Sequence, residues 1–326
     1  MSARSQRRLP VVTPSEHRTK HPPSHHQTGG AERIAAGVDG SLEGRDAAVL
    51  AATISRATGG EIMLVAVHRN PLLPTAPGLG WTAMQERAEE VVRQLRDAVA
   101  PDALIAVETD SSVPRALERA VRRQHRDLLV VGSSPEAPDG RLRIDDTTRQ
   151  LLNDAPCALA VAPRGFASRT PRPLTRIGVG YDDSPEAGVA LRRAGELALA
   201  ARATLRVRAV LDDRLPAVGW SGEDRAMVGE MWDQVLRPEV ESLRERTERA
   251  ACATGADFEL DVTFGPPADS LIELCGEIDL LLIGSGRWGT VARVLRDSTG
   301  EAVMRNANCP VMVVPRPRAT HGPPPR

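Results

Sequence analysis

Aromatic residues and lysine are nearly absent from this chain. Only 2% of its 326 residues are aromatic, and Lys20 is the only lysine, so arginine carries almost all of the basic charge. The core of such a protein must therefore be built from valine, leucine, isoleucine and alanine. The absence of lysine after residue 20 also excludes a Walker-type phosphate loop, because that loop needs a lysine after its glycines.

Long apolar runs and paired cysteines are lacking as well. No run approaches the roughly 20 apolar residues that a membrane-spanning helix needs, and the Arg- and His-rich start contains no apolar segment of a secretory signal. The four cysteines form no CxxC pair and no disulfide-dense pattern. These absences predict a cytoplasmic protein with reduced thiols that does not act at a membrane.

The charge balance and the scarcity of histidine exclude several function classes. A formal net charge of −1 gives no basic excess for binding nucleic acid. Between residues 31 and 316 the histidines are His68 and His125, without the spacing of a zinc site or a sign of a Ser-His-Asp triad. No GxGxxG dinucleotide motif follows the first apolar run of either half. We therefore expect binding rather than catalysis, with no metal site.

Short apolar runs alternate with amphipathic segments, and this pattern occurs twice along the sequence. Such alternation is typical of parallel β-strands that are covered by helices on both faces. Asp39 and Gly132 in the first half match Asp182 and Gly284 in the second, at a spacing of about 150 residues. The sequence therefore predicts two tandem α/β domains, each a five-stranded parallel sheet with helices on both faces.

Proline-rich segments mark the expected domain boundaries. Residues 1–30 are rich in Pro, Ser, His and Arg without periodicity, which predicts a disordered tail. The first domain is expected at 31–165 and the second at 174–316, joined by a linker at 166–173. Residues 317–326 are expected to form a loose C-terminal tail.

Glycine and small polar residues follow the first and fourth apolar runs of each half. GVDGS after the first run, GSS or GSG after the fourth, and the closing APCALAVAP or ANCPVMVVP resemble the motifs of the universal stress protein family in its tandem form. The resemblance implies an adenine nucleotide alpha hydrolase-like, Rossmann-like fold. It also implies a stress-response role and an intramolecular pseudo-dimer of the two repeats through their closing strands, and it names no protein partner.

The resemblance further implies an ATP site, with Mg, in each repeat. Members that bind ATP carry Gly-x2-Gly-x9-Gly-(Ser/Thr) after strand four, where backbone N–H groups and the hydroxyl contact the phosphates. An aspartate after strand one and the backbone at the end of strand two hold the nucleoside. The corresponding residues of this chain are Asp39, Val67 and Gly132 in the first repeat, and Asp182, Val210 and Gly284 in the second.

Both phosphate loops depart from the family pattern at its third glycine, which is Asp145 in the first repeat and Asp297 in the second. A carboxylate there can cap the following helix and repels a polyphosphate. Like charges ~4 Å apart cost about 1 kcal/mol in water and about 4 kcal/mol at an effective dielectric of 20. The second repeat keeps more candidate phosphate ligands, which are Gly284, Arg287, Gly289 and Ser298.

Three hypotheses on function stay open at this point, as do the roles of two aspartates. Asp39 and Asp182 either bind a ligand or cap the helices that follow them. An ATP-type site is expected at best in the second repeat. If Asp145 and Asp297 instead close both loops, the chain is a protein-interaction or structural module. Weak nucleotide hydrolysis is a third hypothesis.

Overall fold

The computed structural model describes residues 32–69, 81–154, 156–169, 173–211, 237–285 and 299–315. Short apolar runs form the strands, and amphipathic segments form the helices between them. The elements of the first repeat are β1 (Arg33–Val38), α1 (Leu42–Thr58), β2 (Glu61–Arg69), α2 (Trp81–Val99), β3 (Leu104–Asp110), α3 (Val113–Arg123), β4 (Leu128–Gly132), α4 (Asp146–Asp154) and β5 (Ala158–Ala162).

The second repeat follows the same order after a short 3-10 turn at Phe166–Ser168. Its described elements are β6 (Arg176–Tyr181), α5 (Pro185–Ala201), β7 (Thr204–Leu211), α6 (Arg237–Cys252), β8 (Phe258–Phe264), α7 (Pro267–Leu274), β9 (Leu280–Gly284), α8 (Thr299–Asn306) and β10 (Val311–Val314). Several predicted features lie outside the described residues, namely the N-terminal tail, the C-terminal tail, Arg287, Gly289, Asp297 and Ser298.

The ten strands of the described residues belong to one sheet, in the order β3-β2-β1-β4-β5-β10-β9-β6-β7-β8. Within each repeat the neighbouring strands are parallel, as predicted. Between the repeats β5 and β10 pair antiparallel, with Ala160 opposite Met312. The predicted contact between the two closing strands is thus confirmed, and this contact joins the two five-stranded halves into a single sheet.

Aliphatic side chains fill the space on both faces of this sheet. On one face α1 and α2 of the first repeat and α5 and α6 of the second belong to one apolar cluster, which includes Ile34, Ala36 and Val38 of β1. On the other face α3, α4, α7 and α8 belong to a second apolar cluster, which includes Ala35 of β1. Because successive strand residues point to opposite faces and both faces are covered, the strands consist of unbroken apolar residues. The predicted aliphatic core and the helices on both faces are confirmed.

Two buried carboxylates tie the repeats and the linker to this core. Asp46 of α1 is 1% exposed and accepts N–H bonds from Gly165 (2.8 Å) and Ala167 (2.6 Å). Burial raises the pKa of the Asp46 carboxyl, and the two backbone donors oppose that rise. Glu32, before β1, forms an ion pair across the repeats with Arg193 of α5. These contacts fix the chain after β5 to α1 and join the residue before β1 to α5.

No helix in the described ranges has the length and apolar character that a membrane crossing requires.

Candidate functional site

The aspartate after the first strand of each repeat holds a tight turn. Asp39 Oδ1 accepts hydrogen bonds from the Ser41 N–H (3.0 Å) and the Ser41 hydroxyl. Ser41 Oγ in turn accepts the Gly44 N–H (3.0 Å) and so caps α1. The serine is therefore the N-cap residue, and Asp39 fixes the serine in place.

The second repeat builds the same turn. Asp182 Oδ1 accepts the Ser184 N–H at 3.1 Å, and Ser184 Oγ caps α5 by accepting the Ala187 N–H at 3.1 Å. Asp182 thus stabilises the turn before α5 in the same way as Asp39 stabilises the turn before α1. These bonds involve Oδ1 only, and within the described part of the chain Oδ2 of neither carboxylate accepts a hydrogen bond.

The structure brings the two predicted nucleoside positions of each repeat to the same sheet edge. Val67 lies near the end of β2, beside β1, which ends immediately before Asp39. Val210 lies near the end of β7, which runs beside β6 before Asp182. The carboxyl edge of a parallel sheet is where ligands of such folds bind. The positions of these residues at the sheet edge therefore agree with the prediction. That either pair holds a ligand stays a prediction.

A cavity of about 220 Å³ lies beside Asp39 and Val67, between the strand ends and α2. We call it the first-repeat cavity. Sequence reasoning missed the side chains that α2 contributes to it, although the amphipathic pattern of that helix was a signal of the face it buries. The cavity is lined by Val38, Asp39, Ala66, Val67, His68, Arg87, Ala88, Val91 and Val92.

Gly132 and Gly284 are required by close packing at the strand ends. A Cβ atom on Gly132 would lie 2.2 Å from the Glu43 carbonyl oxygen, in the first turn of α1. A Cβ on Gly284 would lie 2.7 Å from the Glu186 carbonyl oxygen of α5. Neither glycine has a positive φ. Helix approach therefore explains both glycines, and their predicted contact with phosphate stays a prediction.

The phosphate-loop region of the first repeat is closed by its own hydrogen bonds. Ser133 Oγ accepts the Arg143 N–H at 2.8 Å and donates to the Arg143 carbonyl at 3.1 Å. The Ser134 N–H donates to the same carbonyl at 2.8 Å. Ser133 and Ser134 are both buried. Groups that would otherwise face a phosphate are therefore already paired within the loop.

Asp145 caps the helix that follows this loop. Its Oδ1 accepts the Thr148 N–H at 2.7 Å, in the first turn of α4. That donor belongs to the set of free helix N–H groups to which an anion would bind. The prediction that a carboxylate at this position acts as a helix cap is thus confirmed for Asp145, while Asp297 lies outside the described residues.

The same loop contacts the second repeat, which sequence reasoning did not foresee. The Leu142 N–H donates to the Ala307 carbonyl at 2.8 Å, and Arg141 Nη1 donates to the Asn306 carbonyl at 2.7 Å. Leu142 is fully buried in the core. The apolar residue within an otherwise polar loop was the available signal of this contact.

The turn of the second repeat carries an additional charged contact. Asp183 has a left-handed φ of 63°, accepts a hydrogen bond from the Tyr181 hydroxyl (2.9 Å) and pairs with Arg246 of α6 (2.9 Å). The equivalent position of the first repeat is Gly40, with φ 81°. Burial and the Asp183 carboxylate raise the pKa of Tyr181 to about 12.

Tyr181 is the single tyrosine of the chain, so its titration can be read directly. We expect phenolate absorbance to appear with a midpoint near 12 in the folded protein, and near the ordinary value of about 10 in denaturant. Because the folded pKa is raised, this group's contribution to stability is present below about pH 10 and is lost as the pH rises through the folded value. Asp183→Asn, which removes the charge, should lower the midpoint. A native midpoint near 10 would contradict the buried contact.

The model of the universal stress protein family matches residues 30–163 and 173–315. The chain belongs to the universal stress protein family. Universal stress protein Rv2319c of Mycobacterium tuberculosis is 29% identical over 239 residues, covering 72% of this chain and 78% of that protein. Universal stress protein MJ0531 of Methanocaldococcus jannaschii is 28% identical over 91 residues, covering 27% and 54%.

Solved structures of universal stress proteins share the fold. One from Archaeoglobus fulgidus has a TM-score of 0.60 at 17% identity and covers 88% of this chain and 97% of its own. A putative universal stress protein from Pseudomonas aeruginosa has a TM-score of 0.54 at 16% identity, covering 87% and 93%. At these sequence identities the similarity establishes that this chain shares the α/β fold of those structures. It does not establish which ligand this chain binds.

Proposed function

We propose that this universal stress protein acts by binding an ATP-type nucleotide, with Mg, in its second repeat only. The observation that carries the proposal is the closed loop of the first repeat, where Asp145 caps α4. A polyphosphate there would have to displace the cap and approach a fixed negative charge. The first repeat then serves as the structural partner of the second.

Three described positions of the second repeat support a nucleotide site. Asp182 and Val210 lie at the carboxyl ends of adjacent parallel strands, and Gly284 ends β9 next to them in the sheet. Oδ1 of Asp182 holds the turn, which leaves Oδ2 for a ligand hydroxyl. The proposed phosphate ligands Arg287, Gly289 and Ser298 follow Gly284 in the sequence.

A calorimetric titration of ATP with magnesium tests this proposal. The full chain should bind one nucleotide, and Asp182→Asn should weaken the affinity about tenfold or more, because a hydrogen bond to a charged group contributes about 1.5–3 kcal/mol. Asn keeps an oxygen that can accept the Ser184 N–H, so the turn is retained. Asp39→Asn is the matched control, since it changes the same turn in the first repeat and should leave ATP affinity unchanged. Equal effects of the two variants would overturn the assignment to the second repeat.

Asp145→Ala separates the capping role from the nucleotide question. Loss of this N-cap should lower the free energy of unfolding by about 1 kcal/mol, measured by urea denaturation. Asp146→Ala, the next residue, alters charge without removing the bond to Thr148 and should cost less. Neither variant should gain ATP binding, because the Ser133 and Arg143 bonds still close the loop. ATP binding by Asp145→Ala in the first repeat would show that the carboxylate alone excludes phosphate.

The Asp145 cap, which closes the loop of the first repeat, favours a second candidate function. If Asp297 closes its loop as Asp145 does, the protein is an interaction or structural module without a nucleotide. ATP binding by Asp297→Gly and not by the unmodified chain would favour this candidate. Binding by the unmodified chain at micromolar concentration would exclude it.

A further inference from the structure

The two repeats face each other across an approximate two-fold axis that passes through their closing strands. Ala160 of β5 lies opposite Met312 of β10, and the two residues are equivalents, because 152 residues separate matching positions in this part of the repeats. On one face of the sheet the equivalent helices α1 and α5 also contact each other. A residue on a two-fold axis faces its own equivalent in the partner. The contacts near the axis therefore show what each repeat would meet if its partner were a copy of itself.

An ion pair of two equivalent residues lies on this axis. Arg149 of α4 donates from Nη1 to Glu301 Oε1 of α8 at 3.1 Å, and the two positions are 152 residues apart. The Glu301 side chain is only 13% exposed and also accepts a hydrogen bond from Arg305 of its own helix. The repeats thus carry opposite charges at one and the same position. A pair of first repeats would instead bring two Arg149 guanidinium groups together, and a pair of second repeats would bring two Glu301 carboxylates together.

A second ion pair between the repeats is buried and equally one-sided. Glu32 immediately precedes β1, is paired with Arg193 of α5, and has a side chain that is 5% exposed. Arg193 is the ninth residue after the N-cap Ser184, and the ninth residue after the N-cap Ser41 of α1 is Leu50. In a pair of first repeats Leu50 would therefore take the place of Arg193 beside Glu32. Each Glu32 would then be a buried carboxylate without a countercharge, which is strongly unfavourable.

The Glu32 carboxylate depends on Arg193 for compensation. Its Oε2 has no hydrogen-bond partner in the part of the chain that the structure describes. The carboxylates of Asp127 and Glu196 add negative charge nearby. Replacing Arg193 by an aliphatic side chain would therefore leave Glu32 among like charges.

We propose that these two ion pairs make the interface selective, so that the first repeat accepts a second repeat as its partner and rejects another first repeat. The closing strands supply little discrimination, because both ALAVA and VMVV are wholly apolar. Arg149 and Glu32 supply it, because each meets an opposite charge in only one of the two arrangements. The surface around β5 thus fits a partner that carries a carboxylate on the axis and a guanidinium on its first helix. This selectivity does not require a bound nucleotide.

Partner choice can be measured on the whole protein after its linker is cut. A protease site placed at residues 170–172 allows the folded chain to be cleaved between the repeats, and the cleaved protein is then denatured in urea and refolded. Native mass spectrometry counts the pairs, since the two pieces differ in mass. Pairs of two first repeats should be at least about a hundredfold rarer than pairs of unlike repeats. Comparable amounts of the two kinds of pair would overturn the proposal.

Glu32→Gln combined with Arg149→Glu removes both obstacles to pairing between first repeats. When this cleaved variant is refolded together with cleaved Glu32→Gln protein, a mixed pair of first repeats has arginine opposite glutamate on the axis. Such pairs should be at least about tenfold more abundant than pairs of first repeats from Glu32→Gln protein alone. Arg115→Glu is the control in place of Arg149→Glu, because Arg115 lies near Asp110 at the end of the edge strand β3. An equal increase with this control would overturn the role of Arg149.

The intact chain provides a test that needs no reassembly of cleaved pieces. Arg149→Glu and Glu301→Arg should each lower the ratio of folded to unfolded protein in urea denaturation, because each places like charges on the axis. The double reversal restores an opposite pair. Its ratio should exceed, by at least about fivefold, the ratio that the two single effects predict together. Simple additivity would overturn the proposal whether or not the cleaved repeats reassemble.

Discussion

Gly132→Ala is expected to destabilise the protein by about 3 kcal/mol, at the upper end of what overpacking in a core costs. The added Cβ would lie 2.2 Å from the carbonyl oxygen of Glu43 and 2.6 Å from its carbonyl carbon. Both are backbone atoms, so no side-chain rotation relieves the contact. Helix α1 cannot move away easily, because residues such as Ala48 and Leu50 are fully buried in the core.

Urea denaturation measures this effect, and Gly188→Ala is its control. A Cβ on Gly188 would have only the end of the Arg192 side chain nearby, at 3.8 Å. Since alanine favours a helix over glycine, this control should be neutral or stabilising by up to about 1 kcal/mol. Gly284→Ala should resemble Gly132→Ala, because its Cβ would meet the Glu186 backbone of α5. Unfolding of Gly132→Ala at the same urea concentration as the unmodified chain would contradict the helix-approach explanation.

Arg193→Ala is expected to lower the free energy of unfolding by about 3 kcal/mol at neutral pH, because removing one partner leaves an uncompensated buried charge. The Glu32 side chain is only 5% exposed, and its ion pair with Arg193 crosses from the first repeat to the second. Arg192→Ala, at an exposed neighbouring position, is the matched control and should have little effect.

The loss of unfolding free energy in Arg193→Ala, here called the deficit, should decrease as the pH is lowered. Burial raises the pKa of Glu32 above its ordinary 4.5, and the positive charge of Arg193 opposes that rise. Removing Arg193 therefore raises the folded pKa further. A raised folded pKa gives stability that is present below the unfolded value and is lost as pH rises through the folded value. The deficit should thus shrink as the pH is lowered toward 4.5, and adding Glu32→Gln should reduce it at neutral pH. A deficit independent of pH would refute the buried-charge explanation.

The fold could be predicted from the sequence because its signals are local and repeated. Apolar runs such as residues 128–132 and 280–284 are buried on both faces and therefore lack polar alternation. These runs occur in the same order in both halves of the sequence, which indicated an internal duplication. The strand-end positions of Asp39 and Asp182 followed from the same pattern, and the structure places both in the same kind of turn.

The remaining features depend on contacts between residues far apart in sequence. Asp46 bonds to Gly165 and Ala167 more than a hundred residues away, and nothing in the α1 sequence indicates that partner. The reason for Gly132 was equally hidden, because it lies in the backbone of Glu43 rather than in any side chain. Whether a cavity remained beside Val67 depended on how α2 packs, which periodicity does not specify.

The position of β5 within the sheet has a consequence during synthesis on the ribosome. Its antiparallel neighbour, β10, is separated from it by about 150 residues of chain. At roughly 5–20 residues per second, a nascent first repeat would wait on the order of ten to thirty seconds for that neighbour. Until then the wholly apolar ALAVA edge is a template for pairing with another chain. The last strand of the described residues, β10, is therefore the one that covers this edge in the folded molecule.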